Sequence, residues 1–381
     1  MARALQSEQG AVLGSVSVRA LVWVCLVAGC WNEQLVDGAF TPDQWAHFQK
    51  ELLLQPPPPD ACGVGGLPSV TAAHDLGAML FQDASLSVPA PPNNAAVSCQ
   101  SCHDPKRAWI DSRVPDDVSQ GAASFTGHNA LTLLNLVYKV ELGHGNAFTW
   151  IGKFGKPGDV IVNLALPKAM NTSAANVMTA IQSNPSYAAL CATAFGSCTP
   201  TPDMVAQMVA QIFDAYVCTD PLFTTGHTPF DHYLLGDDSA LSDGAKRGFA
   251  VFVGRGTCIE CHNGPMLTDY NFHDTGAPQQ GDHVALVDNG LATTTGNTAD
   301  TGKFLVPSLR EVAKTGPYMH DGVFATLAEV IAFYRSGGVA AGYNGVKDPR
   351  IVPLDLDDND ARDLEEFLNA LTQCDGTACA P

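Results

Sequence analysis

Apolar positions recur at helical spacing in several separated stretches of the chain. Trp45, Phe48 and Leu52 lie three and four apart and predict a short helix within residues 41–54. Val205, Met208, Val209 and Ile212 form a second stripe, and Leu364, Phe367, Leu368 and Leu371 a third, each predicting an amphipathic helix with one buried face. Two shorter segments repeat one another: Gly77-Ala78-Met79-Leu80-Phe81 and Gly248-Phe249-Ala250-Val251-Phe252. Each precedes one of the two later stripes, so the pattern is a unit that occurs twice. Residues 20–29 are an unbroken apolar run too short to span a bilayer, and no later run approaches about 18 apolar residues. Pro56 to Pro59 form a stiff extended spacer, which places the start of the folded body near Asp60.

Composition narrows the class. Of 381 residues, 46% are hydrophobic and 15% charged, enough apolar content for globular cores. The 35 glycines and 25 prolines exceed what a repetitive helical bundle tolerates, so long ordered loops are expected between the helices. Lys and Arg total 20 against 39 Asp and Glu, a formal charge of -19, which leaves no basic surface for phosphates and excludes nucleic acid as a partner.

Twelve cysteines carry the chemistry. Cys99-Gln100-Ser101-Cys102-His103 and Cys258-Ile259-Glu260-Cys261-His262 are both C-x-x-C-H, the attachment pattern of c-type haem. Two thiols three residues apart lie on one side of a helical turn and reach the two vinyl groups, and the imidazole that follows faces the iron. A four-thiol zinc site needs no histidine after each pair and uses a shorter separation. The expected fold is therefore mainly α, with two cytochrome c-like haem domains: residues 60–238 around the first motif and 239–381 around the second.

Arg3 and Arg19 precede the apolar run at 20–29, and residues 1–30 read as an export signal, followed by a linker over 31–59. Val27-Ala28-Gly29-Cys30 resembles a bacterial lipoprotein cleavage box with Cys30 as the acylated residue, an ordinary secretory signal being the alternative. The expected location is periplasmic, with contact to the membrane only through a lipid on Cys30. In that oxidising compartment Cys62, Cys191, Cys198, Cys218, Cys374 and Cys379 are available for up to three disulfides. Cys191 with Cys198 and Cys374 with Cys379 would close short loops, and Cys62 with Cys218 a long one.

From His74 to Thr372 the chain resembles the bacterial di-haem cytochrome c peroxidases and their MauG-like relatives. The resemblance rests on His103-Asp104-Pro105 after the first motif, His128-Asn129-Ala130-Leu131-Thr132-Leu133-Leu134-Asn135, Phe148-Thr149-Trp150, and Pro229-Phe230-Asp231. It continues with Asn263-Gly264-Pro265 after the second motif, Phe304-Leu305-Val306-Pro307-Ser308-Leu309-Arg310, and Thr315-Gly316-Pro317-Tyr318-Met319-His320-Asp321-Gly322. It implies two covalent haems, with His103 as proximal ligand of the peroxidatic haem and His262 of the electron-transfer haem. It also implies Trp150 as the relay between them, and a calcium ion held by the Asn129 side chain and the Thr315 and Pro317 carbonyls. The implied partners are hydrogen peroxide and a small cytochrome c or cupredoxin donor, or a protein substrate in the MauG-like case.

The same resemblance points to Tyr334, in Leu327-Ala328-Glu329-Val330-Ile331-Ala332-Phe333-Tyr334, as the second axial ligand of the second haem; relatives with Met there are ordinary peroxidases and those with Tyr resemble MauG. Met319 is not the implied ligand. The position that carries a capping histidine in some relatives is Gly121 here, and His128 is the candidate substitute, a loop histidine bonded to backbone being the plainer reading. The stretch 160–175 holds Asn163 and Asn171 but no glutamate to assist O–O cleavage.

Overall fold

Two glycines mark where the main helices cross. A Cβ on Gly77 would lie 2.6 Å from the Ile212 carbonyl oxygen and 2.6 Å from Tyr216 Cβ, and one on Gly248 would lie 1.9 Å from the Asp363 carbonyl oxygen. Only a residue without a side chain allows backbones to approach so closely. In the computed structural model, which describes residues 35–57, 60–111, 118–141, 148–279, 287–339 and 341–373, these crossings organise both halves.

The described chain is mostly helical. Its longer helices are α1 (Pro42–Leu52), α2 (Val70–Gln82), α3 (Ala174–Ser183), α4 (Pro185–Phe195), α5 (Val205–Thr219), α6 (Asp243–Val253), α7 (Leu327–Arg335) and α8 (Asp358–Asn369). In the first half α2 packs on α4 and α5, and α3 on both α4 and α5; in the second, α6 packs on α8 and α7 on α8. Helix starts are set by side-chain caps: Ser69 for α2, Ser173 for α3, Ser242 for α6, and capping boxes from Thr326 and Asp357 for α7 and α8. The predicted stripes are the buried faces, with Val209, Ile212, Phe367 and Leu371 fully enclosed.

The chain divides into two units, one up to His47 and one from Phe48 onward. In the first, Val36 and Phe40 form an antiparallel bridge and the Phe40 ring stacks on Trp45 at 6.2 Å. In the second, a core cluster under α2, α3 and α5 includes Leu76, Leu80, Phe81, Trp109 and Phe213. Between α6 and α7 the described chain contains only short helical turns and a two-stranded ladder, β1 (Phe272–His273) against β2 (Phe304–Leu305).

The stretch expected to be a linker is anchored at its C-terminal end. Leu52 and Leu54 are 1% and 3% exposed, and both are bonded through their backbones into one buried ion pair. Its centre is Arg310, whose Nη1 donates to Asp231; Nη2 donates to the Leu52 carbonyl at 2.9 Å and Nε to the Pro265 carbonyl at 2.9 Å. Asp231 also accepts from the Leu54 amide at 3.0 Å and from Thr228. Phe48, edge-on to Phe249 at 5.2 Å, and Leu52 carry this segment to the core, which the four prolines conceal in the sequence.

Disulfides join Cys62 to Cys218 and Cys191 to Cys198. Cys30, the signal segment and the Cys374–Cys379 pair lie outside the described residues. Among the described residues no helix is long and apolar enough to cross a membrane.

Candidate haem centres and active site

Both C-x-x-C-H motifs adopt a tight helical turn. Cys99–Cys102 is a single α-turn entered through a capping box of Ser98 with Ser101, and Cys258–Glu260 is a 3-10 turn. In each, the amide of the histidine closes back on the first cysteine: His103 N to the Cys99 carbonyl at 3.0 Å, His262 N to the Cys258 carbonyl at 2.9 Å. The four thiols are unbridged. Burial pushes the Cys99 and Cys258 thiols up to about 12 and raises Cys261 as well, so none is a reactive thiolate.

The two imidazoles are held in the same way. His103 Nδ1 donates to the Trp109 carbonyl at 2.9 Å, and His262 Nδ1 donates to the Leu267 carbonyl at 3.0 Å. A carbonyl can only accept, so the proton is fixed on Nδ1 and Nε2 is left with its lone pair free for a metal. Burial lowers the pKa of both rings, with the carbonyl bond opposing it, which keeps the neutral ligand form. The loops that supply these carbonyls are twisted: Ala108, Trp109 and Leu267 have φ of 50°, 62° and 51°. Tautomer, free Nε2 and paired thiols together fit a covalently attached haem at each motif.

A cavity of about 240 Å³ opens beside the second motif, lined by Asn129, Trp150, Cys258, Cys261, His262 and Tyr334 among others. Tyr334 comes from α7 and faces it; its phenol pKa is raised, first by burial and then by the neighbouring Cys261 and Cys258 sulfurs, with a hydrogen bond to Thr275 working the other way. Thr315, Pro317 and Met319 line the same cavity.

Asn129 is the knot of this wall. Its amide N–H donates to the His320 carbonyl at 2.8 Å, its side-chain Nδ2 to the Pro317 carbonyl at 2.8 Å, and its own carbonyl accepts Trp150 Nε1 at 2.8 Å. Trp150 is 8% exposed, and its carbonyl accepts from Leu305 in β2 at 3.0 Å. The sequence-predicted residues Asn129, Trp150, Thr315, Pro317, Tyr334 and the second motif are thus brought together. Cys99, Cys102 and His103 sit apart from them, against the apolar cluster of Phe81 and Trp109.

His128 behaves differently from its expected backbone-bonded alternative. Its Nε2 is paired with the Asp288 carboxylate at 2.7 Å, and that bond helps hold Asp288 below the usual carboxylate range against the cost of its burial. Gly121 explains the missing cap: a Cβ there would lie 2.7 Å from the Ala169 carbonyl and 2.8 Å from that of Ser124, so the loop has no room for a histidine. Asn163 and Asn171 donate to the Asp159 and Val88 carbonyls, and the segment between them is a π-helix, Ile161–Ala169, with Pro167 inside.

Sequence reasoning missed two buried polar groups and one exposed arginine. His320 is 3% exposed, stacks on Phe304 at 3.6 Å between centroids, and its Nε2 has no hydrogen-bond partner; burial pushes its pKa down to about 3. Lys139, 6% exposed, also lines the cavity, and burial lowers its pKa to about 8. Arg350 bonds Asp348 and His273 at the rim beside Cys261, holding the Asp348 carboxyl well below the usual range. None belongs to a spacing pattern, and only His320 lay inside a quoted motif.

Comparison with known proteins converges on one class. A profile described as di-haem cytochrome c peroxidase matches residues 71–239. The chain is 31% identical to cytochrome-c peroxidase IdrP1 of Denitromonas iodatirespirans, over 81% of this chain and 86% of the relative. It is 32% identical to the methylamine utilization protein MauG of Methylorubrum extorquens, over 78% and 77%. Among solved structures it is similar to a MauG-like protein associated with microbial copper homeostasis (29% identity, TM-score 0.64, covering 79% of this chain and 89% of that one). It is also similar to the diheme peroxidase BthA of Burkholderia thailandensis (25%, TM-score 0.65, 82% and 91%). The chain belongs to the di-haem cytochrome c peroxidase and MauG family. It is an oxidoreductase of the cytochrome c peroxidase type, and membership implies two c-type haems.

Proposed function

We propose that the protein reduces hydrogen peroxide to water at the haem held by Cys99, Cys102 and His103. Electrons come from a small cytochrome c or cupredoxin through the haem held by Cys258, Cys261 and His262. The haems supply peroxide cleavage and one-electron storage. The chain's part is to fix each imidazole as a neutral Nε2 ligand, to keep one face of the first centre open, and to set a short path through Trp150. The observation that supports the reading is position 121, where a side chain would collide with the Ala169 and Ser124 carbonyls; on this reading no residue there caps the first centre, which then needs no prior reduction step. The polar side chains at 163 and 171 are already bonded to backbone, so proton assistance there is assigned to neither.

Tyr334 is the proposed second axial ligand of the second haem, supported by its lining the same cavity as His262, Cys258 and Cys261. A phenolate is a hard anionic donor that favours ferric and higher iron, whereas a thioether raises the potential. This favours, as a second reading, a MauG-like oxidation of a protein substrate. Asn129, Thr315 and Pro317 are the proposed calcium ligands, hard oxygens gathered on one wall once the Asn129 amide presents Oδ1. The two haem domains are proposed to divide between residues 238 and 239, and the protein to work in the periplasm, lipid-anchored if Cys30 is acylated.

The test is a peroxide titration of the resting ferric holoprotein followed by haem absorbance. A high-spin component that peroxide consumes supports the proposal; two low-spin centres that ignore peroxide make the protein a di-haem electron carrier. Tyr334→Phe is expected to raise the potential of the second haem and Met319→Leu to leave it in place. The reverse result moves the ligand to Met319 and returns the chain to the plain peroxidases.

A further inference from the structure

A second oxidisable indole, Trp109, belongs to the loop that follows the first haem motif. Trp109 is 5% exposed, and its carbonyl holds His103 Nδ1 at 2.9 Å, so it is joined to the iron-binding imidazole by one hydrogen bond. Its ring lies 4.3 Å from Phe223 and 5.9 Å from Phe81, which in turn is 6.5 Å from the His103 ring. Its Nε1 donates to the Leu222 carbonyl at 3.2 Å, and the Leu222 side chain is 64% exposed. The chain from His103 to solvent is therefore His103, Trp109, Leu222, without a gap. Ala108 and Trp109 both have positive φ, unusual for residues with side chains, and this twist turns the Trp109 carbonyl onto the imidazole.

Electrostatics favour positive charge at this place. Asp111, two residues further along the same loop, is 2% exposed. A buried anion lowers the energy of any cation formed beside it, and the Nε1–H bond to Leu222 does the same for an electron-deficient indole.

We propose that Trp109 is a second one-electron relay, passing electrons from the surface at Leu222 to the first haem without use of Trp150 or the second haem. The inference rests on the reading that His103 holds the haem that meets peroxide. In each step the Trp109 indole gives one electron to the oxidised centre and keeps its Nε1 proton bonded to the Leu222 carbonyl. A reduced small redox protein at the surface returns that electron, and two such steps supply the two electrons that convert one peroxide and two protons into two waters. Without a reductant the deficiency stays on Trp109, where the indole cation adds water to form a ring C–O bond and loses one further electron and two protons, the electron passing to the oxidised centre that the remaining peroxide regenerates.

The experiment treats holoprotein with hydrogen peroxide in the absence of any reductant. Haem absorbance, electron paramagnetic resonance of protein carrying ring-deuterated tryptophan, and peptide mapping of oxygenated residues are then read together. The expected result is a radical narrowed by the deuterium label, lowered about twofold or more in Trp109→Phe, with oxygenated indole mapped at Trp109 in the unmutated protein. A radical unchanged in Trp109→Phe but lost in Trp150→Phe, with Trp109 unmodified, overturns the relay. Haem absorbance that ignores peroxide overturns the underlying reading and the relay with it. Peptide mapping needs no variant, so a folding defect in Trp109→Phe leaves the relay testable.

Discussion

Arg310 and Asp231 are 2% and 0% exposed and hold one another across the proposed division between the halves, each also satisfied by backbone. Burial alone would push the Asp231 carboxyl up; the Arg310 charge and the bonds from Thr228 and Leu54 outweigh it and hold it below the ordinary range. Removing one partner strands the other charge, so Asp231→Asn should cost about 3–5 kcal/mol of unfolding free energy at neutral pH, measured by denaturant titration. The folded pKa lies below the unfolded one near about 3.9, so the ion pair's contribution is fully present above that value and fades as pH falls through the folded pKa. The parent protein should lose stability below pH about 4 more steeply than Asp231→Asn does. Equal acid slopes in the two would show that the carboxylate contributes nothing specific. The same pair fixes the Pro265 carbonyl, three residues past His262, so its loss should also weaken haem retention at the second motif.

Helix crossings decide the next scale. Gly77 on α2 meets α5, and Gly248 on α6 meets α8, in the same relation to the motif that each half carries. Gly77→Ala should cost about 1–3 kcal/mol through overpacking. Gly248→Ala should cost more, because its Cβ would sit 1.9 Å from a main-chain oxygen that cannot turn aside. Each substitution should reduce haem occupancy in its own half, read as the haem-to-protein ratio and by which C-x-x-C-H peptide carries the mass of haem. Equal loss from both peptides would mean that the halves do not fold around their haems separately.

Legibility follows from the same physics. The Gly-x-x-x-Phe repeat, the stripes of α5 and α8 and the two attachment motifs were visible because each is a local spacing that one turn of helix imposes. The anchoring of Leu52 and Leu54, the His128–Asp288 pair and the orphaned His320 nitrogen were not, because each depends on residues more than a hundred positions apart or on a burial that no periodicity records. The glycine at position 121 was plain in the sequence, but the Ala169 and Ser124 carbonyls packed against it needed the loop itself.

For the molecule as a whole, the segments that must keep their distance meet at Asn129. From it, hydrogen bonds run to the segment containing Pro317 and His320 and to Trp150, which is bonded on to β2. Around it Trp150 packs with Met266, Tyr270 and Leu305, and His320 stacks on Phe304, so polar bonds and apolar packing hold this wall together. A calcium ion on the Asn129 side chain and the Thr315 and Pro317 carbonyls would replace the weak amide-to-carbonyl bond by several strong ones and fix the spacing that the proposed relay through Trp150 would need. Removing calcium with excess chelator should therefore shift the absorbance of the second haem, slow peroxide turnover, and be reversed by adding calcium but not magnesium, whose small octahedral shell does not suit carbonyl ligands of this kind. Asn129→Ala should reproduce the slow state and abolish its response to chelator, while leaving both haems covalently attached. If exhaustive chelation changes neither spectrum nor turnover, and Asn129→Ala alone slows the enzyme, then the hydrogen bonds of Asn129 set the inter-haem geometry without an ion.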